Sequence, residues 1–366
     1  FADEFGLTKT RAGALVAAYA AGALIGGLPG GFASARLGAR RAVIVGLAAM
    51  GLASVGFALA SGFWTLFAAR LLQGAGSAFT WAGAFGWLLA AAPRNRRGAL
   101  IGSAMGAAIF GALFGPVIGA AAALAGRDVV FIALAGLAAI LIVWTLRLES
   151  PPPGEQPSGA ALMRAFHNRQ FAGGLALMAV PSLLFGVLSV LGPLHLSNAG
   201  WGAAAIGGVW LVGAAFEAVQ APLIGRLMDE RGRLLPVRVS LAAGAVLSLG
   251  LAADARPLVY VPLVVLAAMS YGVLFTPAFS LIADGAEHVG LAQGMAFGFM
   301  NAAWAVGAMI GPAAGGAIAG ATGDWIPFVL AAVLCASALA ALRSAHERSA
   351  ILVDRLPGDA ARIGRE

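Results

Sequence analysis

Charge is scarce in this chain: Asp, Glu, Lys and Arg make up 11 % of its 366 residues, while 60 % are apolar and the mean hydropathy is +0.90. A soluble domain of this length needs far more charge on its surface, so a soluble globular fold is excluded. Cysteine is nearly missing. The single Cys335 rules out an internal disulfide, and its place in the last apolar run is that of a small core residue. The four histidines include no H-E-x-x-H, and the sequence has no C-x-x-C and no G-x4-G-K-[ST]. Metal hydrolysis, thiol redox chemistry and ATP-driven pumping therefore have no visible machinery; no catalytic residues, no metal and no cofactor are expected.

What the chain has instead is apolar runs of about 20 residues, each long enough to cross a hydrocarbon core of roughly 30 Å as a helix. Eleven are read, at approximately 12–33, 42–60, 64–92, 98–121, 128–147, 170–195, 202–224, 236–253, 257–283, 291–319 and 324–342. The fold class expected is an all-α polytopic membrane protein, with the 52 glycines letting helix backbones approach closely. The formal charge of +7 raises a nucleic-acid partner as an alternative, which the positions of the basic residues exclude. Arg36, Arg40 and Arg41, then Arg94, Arg96 and Arg97, then Arg147, Arg164 and Arg169, then Arg226, Arg231, Arg233 and Arg238, then the tail from Arg343 to Arg365, fall in alternate connections. The opposite connections carry Lys9, Arg11, Arg127 and Arg256. The positive-inside rule makes the first set cytoplasmic, the C-terminus included, and the partners a lipid bilayer and no nucleic acid.

The runs are duplicated. Gly102, Gly111, Gly115, Pro116 and Gly119 have the form G-x8-G-x3-G-P-x-x-G, and Gly298, Gly307, Gly311, Pro312 and Gly315 repeat it 196 residues later. A second pattern runs from Gly31 to Gly38, followed by Arg40 and Arg41, and again from Gly225 to Gly232, followed by Arg233. Duplicated helical halves are the mark of secondary transporters, whose substrate site lies between the repeats near the bilayer midplane. The halves meet at Glu149–Gly159, too polar and proline-rich to cross a membrane. The organisation expected is an N-terminal bundle over 1–148, a cytoplasmic linker over 149–169, a C-terminal bundle over 170–343 and a cytoplasmic tail over 344–366. Five spans precede the linker and six follow. Aligned by the repeat, the first residues fall opposite Leu196–Ala205, between the first two spans of the second half, so a twelfth span is expected ahead of Phe1.

These motifs resemble the major facilitator superfamily along essentially the whole chain. Gly225-Arg-Leu-Met-Asp229-Glu-Arg231-Gly232-Arg233 matches the family's loop motif G-x-L-x-D-x-x-G-R, while the first-half copy, with Gly31, Arg36 and Gly38, has Ala35 at the position of the aspartate. The resemblance implies two pseudo-symmetric bundles working by alternating access as a monomer in the cell (inner) membrane. It implies that the aspartate helps lock the halves in one state, so the lock here is either weaker or rests on Asp229. Arg70-Leu-Leu-Gln73-Gly74-Ala-Gly76 is similar to the family's R-x-x-Q-G-x-G, and the G-P signature of the fifth helix is similar to that of proton-coupled antiporters, with Ala120 in place of its last glycine.

The chemistry-bearing candidates lie inside spans, where charge is costly unless paired or wetted. Arg70, Gln73, Ser77 and Trp81 fall on one helix face and are read as one cavity-lining stripe; bracing of neighbouring helices is the other reading for Arg70. Glu217 is the only acid deep in a span, and the cost of keeping it ionised there makes it the best proton-carrier candidate, with Arg70 beside it; a structural acid is the alternative. Ser182, Phe185, Ser189, Tyr271, Phe275, Asn301 and Trp304 are further cavity candidates, since substrate pockets are mostly apolar with a few placed polar groups. The G-P signatures are expected to soften their helices at the proline and to pack glycine rows against the opposite half. The expected activity is proton-coupled efflux of small amphipathic compounds; an uptake carrier or facilitator for a metabolite, and a membrane sensor that moves nothing, are the alternatives.

Overall fold

A computed structural model describes residues 9–150, 158–253 and 256–354, except the side chains of 9–10, 12–13, 116–117, 120, 123 and 343–354. The described residues form α-helices joined by short turns. The first half comprises α1 (Lys9–Leu37), α2 (Ala39–Ala58), α3 (Phe63–Ala91), α4 (Arg97–Ala112), α5 (Phe114–Ala125) and α6 (Arg127–Arg147). The second comprises α7 (Gly159–His167), α8 (Arg169–Asn198), α9 (Ala203–Arg231), α10 (Leu234–Ala252), α11 (Pro257–Val273), α12 (Phe275–His288), α13 (Gln293–Thr322) and α14 (Trp325–Asp354).

Nine candidate membrane spans meet the requirements of length and apolarity among the described residues: α1, α2, α6, α8, α9, α10, the α11–α12 pair, α13 and α14. The expected spans 64–92 and 98–121 are present as α3 and the α4–α5 pair, outside that set. Glycines, tryptophans and the polar positions Arg70 and Gln73 dilute the apolarity of α3. The other span is broken in two, and neither piece reaches the length of a crossing alone.

Proline sets both breaks. Pro116 has no N–H to pair with the carbonyl of Ala112, where α4 ends, and Pro277 has none for Val273, where α11 ends. Leu113 and Leu274 turn the chain at those points, their N–H groups donating to the Phe110 and Tyr271 carbonyls at 3.1 Å. The softening expected of both G-P signatures holds only in the first half, because α13 runs unbroken through Pro312. The repeated loop motif has a backbone cause: Gly38 and Gly232 hold φ of +93° and +79° at the ends of α1 and α9, a region that disfavours any Cβ. Within the linker, Ser158 caps α7 by accepting a hydrogen bond from the Ala161 N–H at 3.1 Å. The last helix continues to Asp354, into the stretch assigned to the tail.

Each half is a bundle, and the halves meet along α1 with α13, α3 with α13, and α4 with α9 and α12. Small residues make that meeting possible. A Cβ on Gly31 would lie 2.9 Å from the Gly294 carbonyl oxygen, and one on Gly98 would lie 2.7 Å from that of Gly225. Gly102 and Gly298, the first glycines of the two signatures, take part in these crossings. The remaining glycines do not pack across the halves as expected. Gly307, Gly311 and Gly315 pack on α8 of their own half, and Gly111, Gly115 and Gly119 have nothing within 4 Å of an added Cβ.

Candidate functional site

Between the halves lies a cavity of about 200 Å³. Its lining comes from α1 (Tyr19, Ala23), α3 (Ser77, Trp81), α4 (Met105), α8 (Met178), α12 (Phe275, Phe279) and α13 (Met300, Asn301, Trp304). No charged side chain lines it. The polar groups are largely engaged: the Tyr19 hydroxyl donates to Ser77 Oγ at 2.8 Å, and Asn301 Nδ2 donates to the Phe297 carbonyl at 3.0 Å. Tyr19 stands edge-on to Trp304 at 6.3 Å between ring centroids, and Trp81 stacks on Phe85 at 5.0 Å. Aromatic faces and three unbranched thioethers make a wall that is apolar, polarisable and adaptable in shape.

Toward the arginine-rich end the cavity is stopped by packed rings. Phe85 lies 4.7 Å from Phe279 and 5.3 Å from Phe297, and all three are buried. Beyond them is a layer of ions. Arg94 Nη2 donates to Glu287 Oε1 at 2.6 Å, Arg97 pairs with the other Glu287 oxygen, and Arg233 Nη2 donates to Asp284 Oδ2 at 2.5 Å. Asp229, the acid of the loop motif, reaches across the halves to the start of α4, where the N–H groups of Gly98 and Ala99 donate to its two oxygens at 2.9 and 2.8 Å. A carboxylate on the free donors of a helix N-terminus gains both hydrogen bonds and the favourable end of the helix dipole. The matching place in the other half holds Ala35 beside Gly294, which can accept nothing, so one motif copy clasps and the other only packs. At the opposite end α5 and α11 pack chiefly within their own halves. The halves are therefore joined at the arginine-rich end.

The sequence candidates separate accordingly. Ser77, Trp81, Phe275, Asn301 and Trp304 line the cavity. Arg70 and Gln73 do not: Arg70 Nη1 donates to Gln73 Oε1 at 2.9 Å, its guanidinium lies 5.4 Å from the Phe57 ring centre, and both residues line a separate groove against α5 and α6. Arg70 and Ser77 stand about 10 Å apart along the helix axis, far enough to face different neighbours. Ser182 and Ser189 donate to carbonyls of their own helix, Met178 and Gly186, both at 2.9 Å. Tyr271 is buried against α10, its hydroxyl 2.7 Å from Ser248 Oγ, and Phe185 stacks behind Phe275 at 6.0 Å. Glu217 lies at the α9–α11 contact: its carboxyl faces Gly272, which has no side chain to compete for the space. One turn on, Gln220 Nε2 donates to the Met269 carbonyl at 2.9 Å. Of the motif residues, Arg36 lies over the Phe32 ring and Arg231 is exposed. The side chain of Pro116 lies outside the described residues. Sequence reasoning missed Tyr19, Met105, Met178, Phe279 and Met300, although Tyr19 is a lone polar aromatic in a span of small residues.

The profile of the Major Facilitator Superfamily matches residues 1–297. Among curated proteins, the chain is 25 % identical over 239 residues to the uncharacterized MFS-type transporter YcaD of Escherichia coli, covering 64 % of this chain and 61 % of that relative, so it spans less than two thirds of the relative's length. Among solved structures, the E. coli fucose:proton symporter FucP matches with a TM-score of 0.73 at 14 % identity, over 90 % of this chain and 89 % of that one. The human organic anion transporter MFSD10 matches with a TM-score of 0.77 at 16 % identity, over 92 % of this chain and 86 % of that one. At such identities these two likenesses speak for the fold alone.

Proposed function

The chain belongs to the major facilitator superfamily, and from that premise we propose that it exports small neutral or weakly charged amphipathic compounds across the cell membrane in exchange for protons. The observation that carries this reading is the chemistry of the central cavity. Its wall of tryptophan, phenylalanine and methionine, with Tyr19, Ser77 and Asn301 as its polar groups, suits a flat or branched apolar body with one or two polar atoms. Transport of a sugar with protons, the activity for which the fucose:proton symporter FucP and the proton:xylose symporter XylE are named, is the competing reading. A sugar needs a hydrogen-bond partner for nearly every hydroxyl it buries, and this cavity offers few.

Glu217 is the proposed proton carrier. It does not touch the cavity, but it packs on Gly272, two residues before the break at Leu274. The segment beyond that break, α12, carries both cavity residues Phe275 and Phe279 and gate residues Asp284 and Glu287. Loss or gain of a proton at Glu217 thus acts at the joint of an element that both lines the cavity and joins the ion layer. The clasped arginine-rich end is assigned to the cytoplasm by the positive-inside rule, so the halves are closed inward and the next step of a cycle opens them there.

Trp81→Ala tests the cavity. Loss of an indole against a bound apolar body costs about 1.5–3 kcal/mol, so half-saturation for transported compounds is expected to rise about 10-fold or more, with the maximal rate far less changed. Uptake of labelled lipophilic amines and phenols into inverted vesicles reads it, and an unchanged half-saturation for every transported compound contradicts this placement.

A further inference from the structure

The short helix α7, too short to cross a bilayer, has three distinct faces. Ala161 and Ala165, one turn apart, are buried and seat it on the bundle. The next face is apolar and open: Met163 is 64 % exposed and Phe166 46 %. Ala160, Arg164 and His167 share the third face, and all are exposed. From 158 to 170 the chain carries Arg164, His167 and Arg169 and no acid, so positive charge stands beside an uncovered apolar stripe. The helix is also firmly held. One residue, Asn168, joins it to α8; its Oδ1 accepts from the Gln170 and Phe171 N–H groups at 2.9 and 3.0 Å, and its own N–H donates to the Arg164 carbonyl at 2.9 Å. The Phe166 ring stands edge-on to Phe171 of α8 at 5.9 Å and to Phe299 of α13 at 5.0 Å between centroids. Phe171 and Phe299 are the third and seventh residues of their helices. The rise of an α-helix puts them about 3 and 9 Å inside its arginine-rich end, and that is the depth at which Phe166 sits.

We propose that α7 is a binding surface for anionic phospholipid headgroups: it lies in the surface layer of the membrane at the arginine-rich face, with Met163 and Phe166 among the first carbons of the acyl chains and Arg164 and Arg169 on the phosphates. Depth supports the seating, because amphipathic helices at a membrane surface bury their apolar face about 5–10 Å into the boundary between headgroups and chains. Charge chooses the lipid. A guanidinium pairs with a phosphate through two hydrogen bonds, and a zwitterionic headgroup sets its own ammonium against that pairing while an anionic one does not. Each arginine near an anionic surface is worth roughly a fivefold preference. The surface has a route to the transport path, since Phe299 is followed on α13 by Met300 and Asn301 of the cavity wall. It follows from the membrane placement of the chain alone and is independent of which compound is carried, and of protons.

The test places a bimane fluorophore on Met163→Cys, or on Ala160→Cys as the control of the polar face, in a Cys335→Ala background of the whole protein reconstituted in phosphatidylcholine vesicles. Lipids brominated in the upper acyl chain quench from within the membrane and iodide quenches from water. The label at 163 is expected to be quenched by brominated lipid and shielded from iodide, and the label at 160 to show the reverse. Half-maximal quenching at 163 is expected at a mole fraction about fivefold or more lower for brominated phosphatidylglycerol than for brominated phosphatidylcholine. Arg164→Gln with Arg169→Gln, two exposed positions whose loss leaves the packing of Ala161, Ala165 and Phe166 in place, is expected to bring the two half-points together. Excess inorganic phosphate is expected to leave them apart. Quenching of the 163 label by iodide alone overturns the proposal by putting the apolar face in water. Shielding from both quenchers overturns it in favour of a protein cover, either the tail or a second copy. Equal half-points in the protein with both arginines, or a preference that survives their removal, overturn the headgroup recognition. A preference abolished by inorganic phosphate assigns the arginines to a free anion instead.

Discussion

Glu217→Gln is expected to abolish substrate-driven proton movement, lowering it roughly 100-fold or more, the equivalent of about 2.7 kcal/mol of lost coupling, while leaving the folded yield close to that of the native protein. The amide keeps the size and the hydrogen-bonding capacity of the acid and removes its ability to carry charge. The site accepts the isosteric amide because Glu217 has no ion-pair partner among the described residues. Its position explains why the effect falls on coupling and not on affinity: the cavity lining is untouched, and what is lost is the proton-dependent change at the joint between α11 and α12. Counterflow of labelled substrate, which needs no net proton movement, is expected to persist in the variant. Loss of counterflow together with proton movement would instead make Glu217 a structural acid.

Gly225→Leu is expected to hold the arginine-rich end open. Gly225 of α9 lies against the backbone of Gly98 and Ala99 on α4, with an added Cβ 2.8 Å from Gly98 C and 3.1 Å from Ala99 Cα. Backbone cannot give way as a side chain does, so a leucine there must part the helices. Overpacking of this kind costs about 1–3 kcal/mol, and parting α4 from α9 also strips Asp229 from the N–H groups of Gly98 and Ala99. Together these shift the balance toward the opened state about 10- to 100-fold or more. The expected readouts are increased labelling of a cysteine placed at Ser280, in the 500 Å³ space that the ion-layer residues line, by a water-soluble maleimide, and transport reduced by at least 10-fold. Gly207→Leu on the same helix, where an added Cβ meets nothing within 4 Å, is the control expected to change neither. Unaltered labelling in Gly225→Leu would mean that the clasp does not hold this end closed.

The architecture was legible because bilayer thickness forces a strong, repetitive signal, and because the glycine-proline spacings survive in both halves. The breaks were harder. Pro116 and Pro277 each free a carbonyl four residues earlier, yet Pro312 sits in an equally apolar sequence and does not interrupt its helix, since α13 is supported there by α8. Whether a proline breaks a helix is decided by what is packed on it, which the local sequence does not contain. The cavity was half legible. Ser77, Trp81, Phe275, Asn301 and Trp304 stand out as polar or aromatic groups in small-residue spans, and they do converge. Arg70 lies on the same face of α3 but at another depth, in the groove against α5 and α6. Tyr271 looked equally suitable and is spent on Ser248 inside its own bundle. Met105, Met178 and Met300 carry no sequence signal distinguishing a cavity wall from a core, because the same side chain serves both. The asymmetry of the clasp, by contrast, is already written in Ala35 against Asp229.

Proton-coupled exchange through the central cavity is tested most directly in liposomes holding a pH-sensitive dye, with the native polypeptide reconstituted in known orientation and presented with an outward gradient of a transported lipophilic amine or phenol. Protons moving against the substrate, in proportion to it and only while it moves, are the predicted result. Substrate that crosses with no proton movement, or protons that travel in the same direction as the substrate, would contradict it.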